Sequence, residues 1–218
     1  MSFPTLVLWD IDGTLIDTTS LIVAALDHVY RKYVGSTIST EEIRAIIGTP
    51  LSEQVQFLGN PSDFGTTVAS MESEFIRYYE ANRDQERILT DVIALLIEGK
   101  ELGHPTALIT SKNHEEIKNT LPRLGILGHV DLVITADDVA KPKPDPEGIL
   151  RALDHFAISG NDAVFIGDTV HDIRAGKGGG VRTCAVTWGA GSITLLRAEA
   201  PDYICSSAAD LRMVLGLA

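Results

Sequence analysis

Short apolar runs alternate with segments of helical periodicity along most of the chain. The runs predict six strands, at Leu6–Trp9, Thr106–Ile109, Leu132–Thr135, Ala163–Ile166, Thr183–Thr187 and Tyr203–Cys205. Between two of them, apolar residues recur at helical spacing from Val92 to Leu102, which predicts a helix packed on a sheet. Repeated strand–helix units predict an α/β fold with three layers and a parallel sheet. Ligands of such sheets bind beyond the carboxyl ends of the strands.

A different pattern separates the first strand from the second. Residues 17–87 are polar and contain helical patterns at Leu21–Tyr33, Thr40–Ile47, Ser52–Phe57 and Thr66–Asn82, with no convincing strand. We therefore expect an inserted helical cap at 17–87 and a core made of residues 1–16 and 88–218.

Local signals mark several helix ends. Asn113 with Glu116 predicts a capping box, and Asp145 with Pro146 predicts an N-cap with proline in the first turn. The glycines at 178–180 follow a helical pattern, so they predict a helix end rather than a phosphate-binding loop.

Composition narrows the functional classes. The 218 residues carry a formal net charge of −12, which argues against non-specific nucleic-acid binding. No apolar run is long enough for a membrane span, and the N-terminal residues do not resemble a signal peptide. Cys184 and Cys205 lack metal-ligand spacing and are expected to be buried thiols. These features favour a cytoplasmic protein, as a monomer or homodimer, without a nucleic-acid or membrane partner.

Chemically active side chains stand where the predicted strands end. The first strand runs into Asp10-Ile11-Asp12-Gly13-Thr14, the second into Thr110-Ser111, and the fourth into Gly167-Asp168-Thr169-Val170-His171-Asp172; Ala140-Lys141-Pro142-Lys143-Pro144 follows the third. Carboxylates at the end of a buried strand cost free energy unless they are paired, protonated or bound to a metal ion. The sequence therefore predicts a site at this edge of the sheet.

These four motifs resemble those of the haloacid dehalogenase superfamily, and the segment from Val186 to Ser207 resembles its phosphoglycolate phosphatase-like members. The resemblance implies a Rossmann-like core with a helical cap inserted after the first motif. It also implies Mg²⁺ held by Asp10, the backbone carbonyl of Asp12, Asp168 and, in or near that shell, Asp172.

The implied reaction is hydrolysis of a small phosphorylated metabolite. Asp10 would attack phosphorus and form an aspartyl-phosphate, while Asp12 would protonate the leaving oxygen and later activate water. Lys141 would offset the charge of Asp10 and contact the phosphate, together with Thr110 and Ser111. The family pattern places the catalytic lysine first, so Lys143 is expected to be a solvated surface charge. None of these roles requires His171.

The cap is expected to choose the leaving group. Gly48, Thr49 and Pro50 lie in a stretch that resembles the specificity loop of phosphoglycolate phosphatase-like caps, although a plain helix–helix turn also accounts for it. No arginine stands in or just after this loop, up to Phe57, which argues against a sugar phosphomutase.

Other activities of the superfamily remain alternatives. A pyrophosphatase is one of them. A phosphonatase would need a cap lysine, for which Lys32 is the candidate. A 2-haloacid dehalogenase would not need Asp12 or Asp168. A non-catalytic phosphate-binding protein would be expected to lack a motif residue, and all four motifs are complete.

Overall fold

A computed structural model describes residues 3–217 of the chain. Its main sheet has six parallel strands in the order β5-β4-β1-β6-β7-β8, and a separate two-stranded ribbon joins β2 to β3. The strands are β1 (Leu6–Trp9), β2 (Ile16–Asp17), β3 (Arg87–Ile88), β4 (Thr106–Ile109), β5 (Leu132–Ile134), β6 (Ala163–Gly167), β7 (Arg182–Val186) and β8 (Tyr203–Cys205).

Residues 3–217 also form ten α-helices. They are α1 (Thr19–Tyr33), α2 (Thr40–Ile46), α3 (Leu51–Gln54), α4 (Val68–Ala81), α5 (Thr90–Glu101), α6 (His114–Leu124), α7 (Glu147–Phe156), α8 (Val170–Gly178), α9 (Ile193–Ala198) and α10 (Ala208–Leu215). Short 3-10 turns occupy Pro61–Phe64, Arg83–Gln85, Ala136–Asp138 and Gly160–Asp162.

Helices cover both faces of the main sheet. Side chains alternate between the two faces along each strand, so that each strand contributes to the core on both sides. In β1, Val7 and Trp9 join a core cluster that includes residues of α5, α6 and α10, whereas Leu6 and Leu8 join a cluster that includes residues of α7 and α8. The result is a three-layer α/β core, as the strand–helix alternation predicts.

Strand β1 lies at the point where the strand order reverses. The chain adds β4 and β5 on one side of β1, then crosses to the other side and adds β6, β7 and β8. In parallel sheets the crevice at such a reversal is the usual place for a ligand. The residues that follow β1 and β6 therefore lie at the favoured position of the sheet edge.

The helical segment, residues 18–86, forms its own hydrophobic cluster. Leu26, Val29 and Tyr30 of α1 are fully buried against α2 and α4, together with Ile43 and Met71. The segment leaves and re-enters the sheet domain through the β2–β3 ribbon, in which Ile16 pairs with Ile88 and Asp17 with Arg87. This ribbon was not predicted, because two-residue strands carry no periodicity. The division at 17–87 itself stays a prediction.

Several local expectations are confirmed. Asn113 and Glu116 form the capping box of α6, and α8 ends at Gly178. Helix α7 begins one residue later than predicted, at Glu147, so that Pro146 and not Asp145 is its N-cap, although Asp145 accepts a hydrogen bond from the Glu147 N–H. The predicted helix at Ser52–Phe57 is shorter in the structure, since α3 ends at Gln54.

The two thiols are buried and free, as expected. Among residues 3–217, none of the helices combines the length and the apolar character that crossing a membrane requires.

Candidate active site

Asp10 and Asp168 meet because β1 and β6 are neighbours in the sheet. Asp10 follows β1 directly, and its backbone N–H donates to the Ile166 carbonyl at 2.9 Å, which extends the strand pairing by one residue. Asp168 follows β6, is fully buried, and accepts a hydrogen bond from the Ala190 N–H at 2.7 Å. Gly13 approaches closely with a φ of 75°, and a Cβ at that position would overlap the Asp168 carboxylate.

Asp172 holds the start of α8 and also contacts the lysine of the site. Its Oδ2 accepts from the N–H and the hydroxyl of Thr169, at 2.9 and 2.7 Å, in a reciprocal capping box. Its Oδ1 accepts from the Lys143 ammonium at 2.7 Å. Both carboxylate oxygens therefore have partners, so Asp172 is held in place by the chain itself.

Lys143, and not Lys141, is the lysine beside Asp10. Its ammonium donates to Asp10 Oδ1 at 2.6 Å as well as to Asp172, and only 4% of its side chain is exposed. Lys141 is exposed, and its backbone N–H donates to Glu147. The structure thus corrects two expectations, the choice of Lys141 and the description of Lys143 as a surface charge. The two lysines have the same proline flank, and only the path of the chain beyond β5 separates them.

Negative charge exceeds positive charge at this buried point. Burial raises the pKa of Asp10 to about 7, although the Lys143 ammonium acts in the opposite direction. Burial, followed by the charges of Asp172 and Asp10, also raises the pKa of Asp168 well above its ordinary value. Burial acts to lower the pKa of Lys143, but the two carboxylates outweigh it and the pKa lies above the ordinary value.

This donor set fits a divalent cation. Asp10, Asp168 and Asp172 each present a carboxylate oxygen within 4.8 Å of the others, and all three residues are buried. One lysine balances only part of their charge, and oxygen ligands of this kind are those that Mg²⁺ prefers. Asp10 Oδ2 accepts no hydrogen bond from residues 3–217, whereas the two oxygens of Asp172 are already engaged. Asp168 Oδ1 has only the Thr14 hydroxyl as a partner, at 3.5 Å, so Asp10 and Asp168 keep more capacity to bind an ion than Asp172 does.

Asp12 points away from this cluster. Its Oδ1 accepts from the Thr18 hydroxyl at 2.9 Å, and its Oδ2 lies 2.9 Å from the Lys112 ammonium. The side chain of Asp12 is 19% exposed and that of Lys112 is 10% exposed. Sequence reasoning overlooked Lys112, because a lysine three residues after a strand end is indistinguishable from a surface lysine without knowledge of what it faces.

The residues after β4 contribute hydroxyls to the site. Thr110 is buried, and its Oγ1 accepts from the Lys112 backbone N–H at 3.2 Å, which leaves the hydroxyl hydrogen free to donate. The Ser111 hydroxyl donates to the Gly48 carbonyl at 2.6 Å. Ser111 therefore joins the sheet edge to the helical segment.

The loop formed by residues 47–50 lies directly over the sheet edge. Gly48 has a φ of 103°, and a Cβ there would stand 2.9 Å from Thr169 Oγ1 and 3.2 Å from the His171 ring. The Gln54 amide donates to the Thr49 carbonyl at 2.7 Å and so supports the loop from α3. His171 packs beneath the loop, and burial lowers its pKa.

A cleft of about 790 Å³ opens between the sheet edge and the helical segment. It is lined by Asp10, Asp12, Ile22, Ile47, Gly48, Thr49, Leu51, Gln54, Phe75, Ile76, Tyr79, Glu80, Arg83, Thr110, Ser111, Lys112, Glu116, Thr120 and Lys143. Of the residues that were predicted to bind substrate, Gly48, Thr49, Thr110 and Ser111 line the cleft, whereas Lys141 and Pro50 do not.

Two cations in the cleft come from outside the predicted motifs. Lys112 lies near the Asp12 carboxylate, and Arg83 comes from the 3-10 turn after α4, where its guanidinium pairs with Glu80. The loop and the residues after it contain no arginine up to Phe57. Arg83 lies beyond that stretch in sequence but lines the cleft in the structure.

The family model for haloacid dehalogenase-like hydrolases matches residues 7–186. The chain belongs to this family. It is similar to the pyrophosphatase PpaX of Bacillus velezensis, with 33% identity over 218 residues that cover 98% of this chain and 97% of the relative. A relative from Caldanaerobacter subterraneus, which also carries the name pyrophosphatase PpaX, is 33% identical over 200 residues. The match covers 91% of this chain and 89% of the relative.

Solved structures show the same fold. A structure from Bacteroides fragilis, assigned to the haloacid dehalogenase-like hydrolases, superposes with a TM-score of 0.83 and 26% identity, covering 95% of this chain and 99% of that one. A predicted phosphoglycolate phosphatase from Haemophilus somnus superposes with a TM-score of 0.84 and 20% identity, covering 98% and 99%. The chain is therefore a haloacid dehalogenase-like hydrolase. The α/β fold expected from the sequence is confirmed.

Proposed function

We propose that this hydrolase is a Mg²⁺-dependent phosphatase that cleaves a small phosphorylated metabolite through an aspartyl-phosphate on Asp10. One observation carries the proposal. The Asp10 carboxylate lines the cleft with one oxygen held by Lys143 and the other without a hydrogen-bond partner among residues 3–217. A carboxylate oriented by one oxygen and open at the other is suited to nucleophilic attack.

In the first step the Asp10 carboxylate attacks phosphorus, so that a bond to phosphorus forms as the bond to the leaving oxygen breaks. Asp12 donates a proton to that leaving oxygen, and in the second step it takes a proton from the water that cleaves the aspartyl-phosphate. Two carboxylates are needed because the nucleophile cannot also carry the proton. The Thr18 hydroxyl holds Asp12 in place for both steps.

Lys143 and Thr110 bind the phosphoryl group in this proposal. Lys143 keeps Asp10 oriented and offsets charge on the phosphoryl oxygens, and Thr110 donates its hydroxyl to one of them. Asp10, Asp168 and the Asp12 carbonyl would hold Mg²⁺, with Asp172 beside them. When bound, the ion would supply the positive charge that lets a phosphate dianion approach these carboxylates.

Residues 17–87 act as a cap in this proposal, and the loop 47–50 reads the leaving group. The hydrogen bond between Ser111 and Gly48 and the short β2–β3 ribbon support a cap that closes over the cleft and opens about that ribbon. Closure would exclude water from the site.

The relatives favour two substrates. Pyrophosphatase is the name of the relatives that match nearly the whole chain at about one-third identity, which supports inorganic pyrophosphate. The motif resemblance and several similar folds support 2-phosphoglycolate. A phosphonatase is less well supported, because Lys32 is tied to Glu74 at 2.7 Å and does not line the cleft.

The test is turnover of a panel of phosphorylated compounds that includes both substrates, with Mg²⁺ and with EDTA. We expect Mg²⁺-dependent release of phosphate from at least one compound, and no turnover by Asp10→Asn, whose amide has nearly the same shape but is a poor nucleophile. Turnover by Asp10→Asn protein that mass spectrometry shows to be undeamidated would contradict the covalent mechanism.

A further inference from the structure

We infer that Lys112 binds a negatively charged group on the leaving-group side of the substrate, and so selects phosphate esters whose leaving group is itself an anion. The inference rests on the proposed phosphatase activity and names the chemical class of its substrate. Such leaving groups carry a carboxylate or a second phosphate close to the ester oxygen. Neutral alcohols do not.

The position of Lys112 is set by a rigid part of the core. Its backbone N–H donates to Thr110 Oγ1, and its carbonyl accepts from the Ala136 N–H at 2.9 Å. The side chain extends from this anchored backbone into the cleft, where the ammonium lies 5.6 Å from the centre of the Tyr79 ring. The Lys112 ammonium therefore stands between the sheet edge and the helical segment.

The Lys112 ammonium has more N–H donors left for a ligand than the Lys143 ammonium has. The Lys143 ammonium is held between two carboxylates, whereas Lys112 has a single carboxylate contact, to Asp12, among the described residues. An ammonium has three N–H donors, so most of its donors remain for a ligand. With only 10% of the side chain exposed, water has limited access to them.

The other carboxylates near Lys112 are engaged elsewhere. Glu116 accepts the Asn113 N–H in the capping box of α6. Glu86 accepts from the Tyr79 hydroxyl and the Arg123 guanidinium. Among residues 3–217, Asp12 and Lys112 thus form a pair with no third charged side chain in contact, and an incoming anion is the natural second partner of the ammonium.

The location of Lys112 determines which part of the substrate it meets. Asp12 is the proposed proton donor to the leaving oxygen, and the Lys112 ammonium lies 2.9 Å from its Oδ2. A charge two or three bonds beyond the leaving oxygen would lie within reach. Four carboxylates also line the cleft, namely Asp10, Asp12, Glu80 and Glu116, so an anionic leaving group needs a local cation to enter.

The test compares 2-phosphoglycolate with 2-hydroxyethyl phosphate, which have nearly the same size and differ in the carboxylate. Inorganic pyrophosphate is a second anionic probe. We expect Lys112→Met to lower kcat/KM for the anionic probes about 10- to 100-fold more than for 2-hydroxyethyl phosphate, because a hydrogen bond between charged groups is lost. Lys112→Arg should restore part of the preference.

Lys118→Met is the matched control, since Lys118 lies on α6 with 72% of its side chain exposed and does not line the cleft. It should leave the ratio between the probes unchanged. Lys112→Gln serves as a second variant where Lys112→Met fails to fold. An equal loss for anionic and neutral probes would show that Lys112 acts only through Asp12, and no loss would show that it has no role; either result overturns the inference.

Binding separates this inference from the proposed function. Asp10→Asn protein with Mg²⁺ is titrated with 2-phosphoglycolate and with 2-hydroxyethyl phosphate by calorimetry, which requires no turnover. We expect tighter binding of 2-phosphoglycolate, and loss of that difference when Lys112→Met is added. Equal affinities before Lys112→Met is added would overturn the inference even if the enzyme is an active phosphatase.

Discussion

At the scale of single residues, the site depends on pairing buried carboxylates with the right cations. Lys143 pairs with Asp10 and Asp172, and Lys112 pairs with Asp12. Each lysine therefore serves one of the two carboxylates that begin the first motif. This division keeps the proposed nucleophile and the proposed acid–base group in different electrostatic surroundings, although only Ile11 separates them in sequence.

The contrast between Lys143 and Lys141 gives a residue-scale prediction. Lys143→Met should abolish turnover and, in EDTA, lower the free energy of unfolding by about 3–5 kcal/mol, because two buried carboxylates lose their partner. Lys141→Met should change both quantities little, since that side chain is exposed and makes no hydrogen bond or ion pair with residues 3–217. Lys141 contacts Glu147 through its backbone N–H. Urea unfolding and turnover assays measure both. If Lys141→Met were as inactive as Lys143→Met, the result would support Lys141 as the catalytic lysine.

At the scale of elements, the loop 47–50 is the part of the helical segment that touches the sheet edge. Its conformation depends on Gly48, which combines a left-handed φ with close contacts to Thr169 and His171. Gly35 shares the left-handed φ, at 72°, but has no atom within 4 Å of a built Cβ. These two glycines separate backbone strain from steric contact.

Gly48→Ala should displace the loop and lower kcat/KM at least tenfold, because the new Cβ meets Thr169 and His171. Gly35→Ala should cost only the strain of a left-handed alanine, about 1 kcal/mol of stability, with kcat/KM unchanged. Steady-state kinetics and thermal unfolding of both variants check this. Equal kinetic effects in the two variants would mean that contact of the loop with the core is irrelevant to turnover.

At the scale of the whole molecule, metal binding and folding should be linked. Asp10, Asp168 and Asp172 come from two separate stretches of the chain, so the unfolded chain has no preformed site and Mg²⁺ should bind only the folded protein. At a Mg²⁺ concentration 100 times the dissociation constant, stability should rise by about 2.7 kcal/mol.

Asp168→Asn should weaken this stabilisation by Mg²⁺ without unfolding the protein. In EDTA this variant should be at least as stable as the parent, because one of several crowded buried charges is removed. Thermal unfolding with Mg²⁺ and with EDTA measures both effects. An unchanged Mg²⁺ response in Asp168→Asn would place the ion elsewhere.

The sequence by itself determined the sheet and the first and fourth motifs. Apolar runs of strand length were enough to locate all six strands of the main sheet, and the carboxyl-end rule placed Asp10 and Asp168 at one edge. The capping box at Asn113 was readable because it depends on residues only three apart. Apolar runs and capping boxes depend only on residues that are close in sequence, so they can be recognised without knowledge of the fold.

Only the tertiary structure decided which cations enter the site. Lys141 and Lys143 have the same local pattern, and the choice between them depends on where the chain passes Asp10. Lys112 follows β4 and Arg83 belongs to the helical segment, and the two line one cleft because that segment packs over the sheet edge. Pairing of a charge is a through-space property, and a single sequence does not contain the distances that set it.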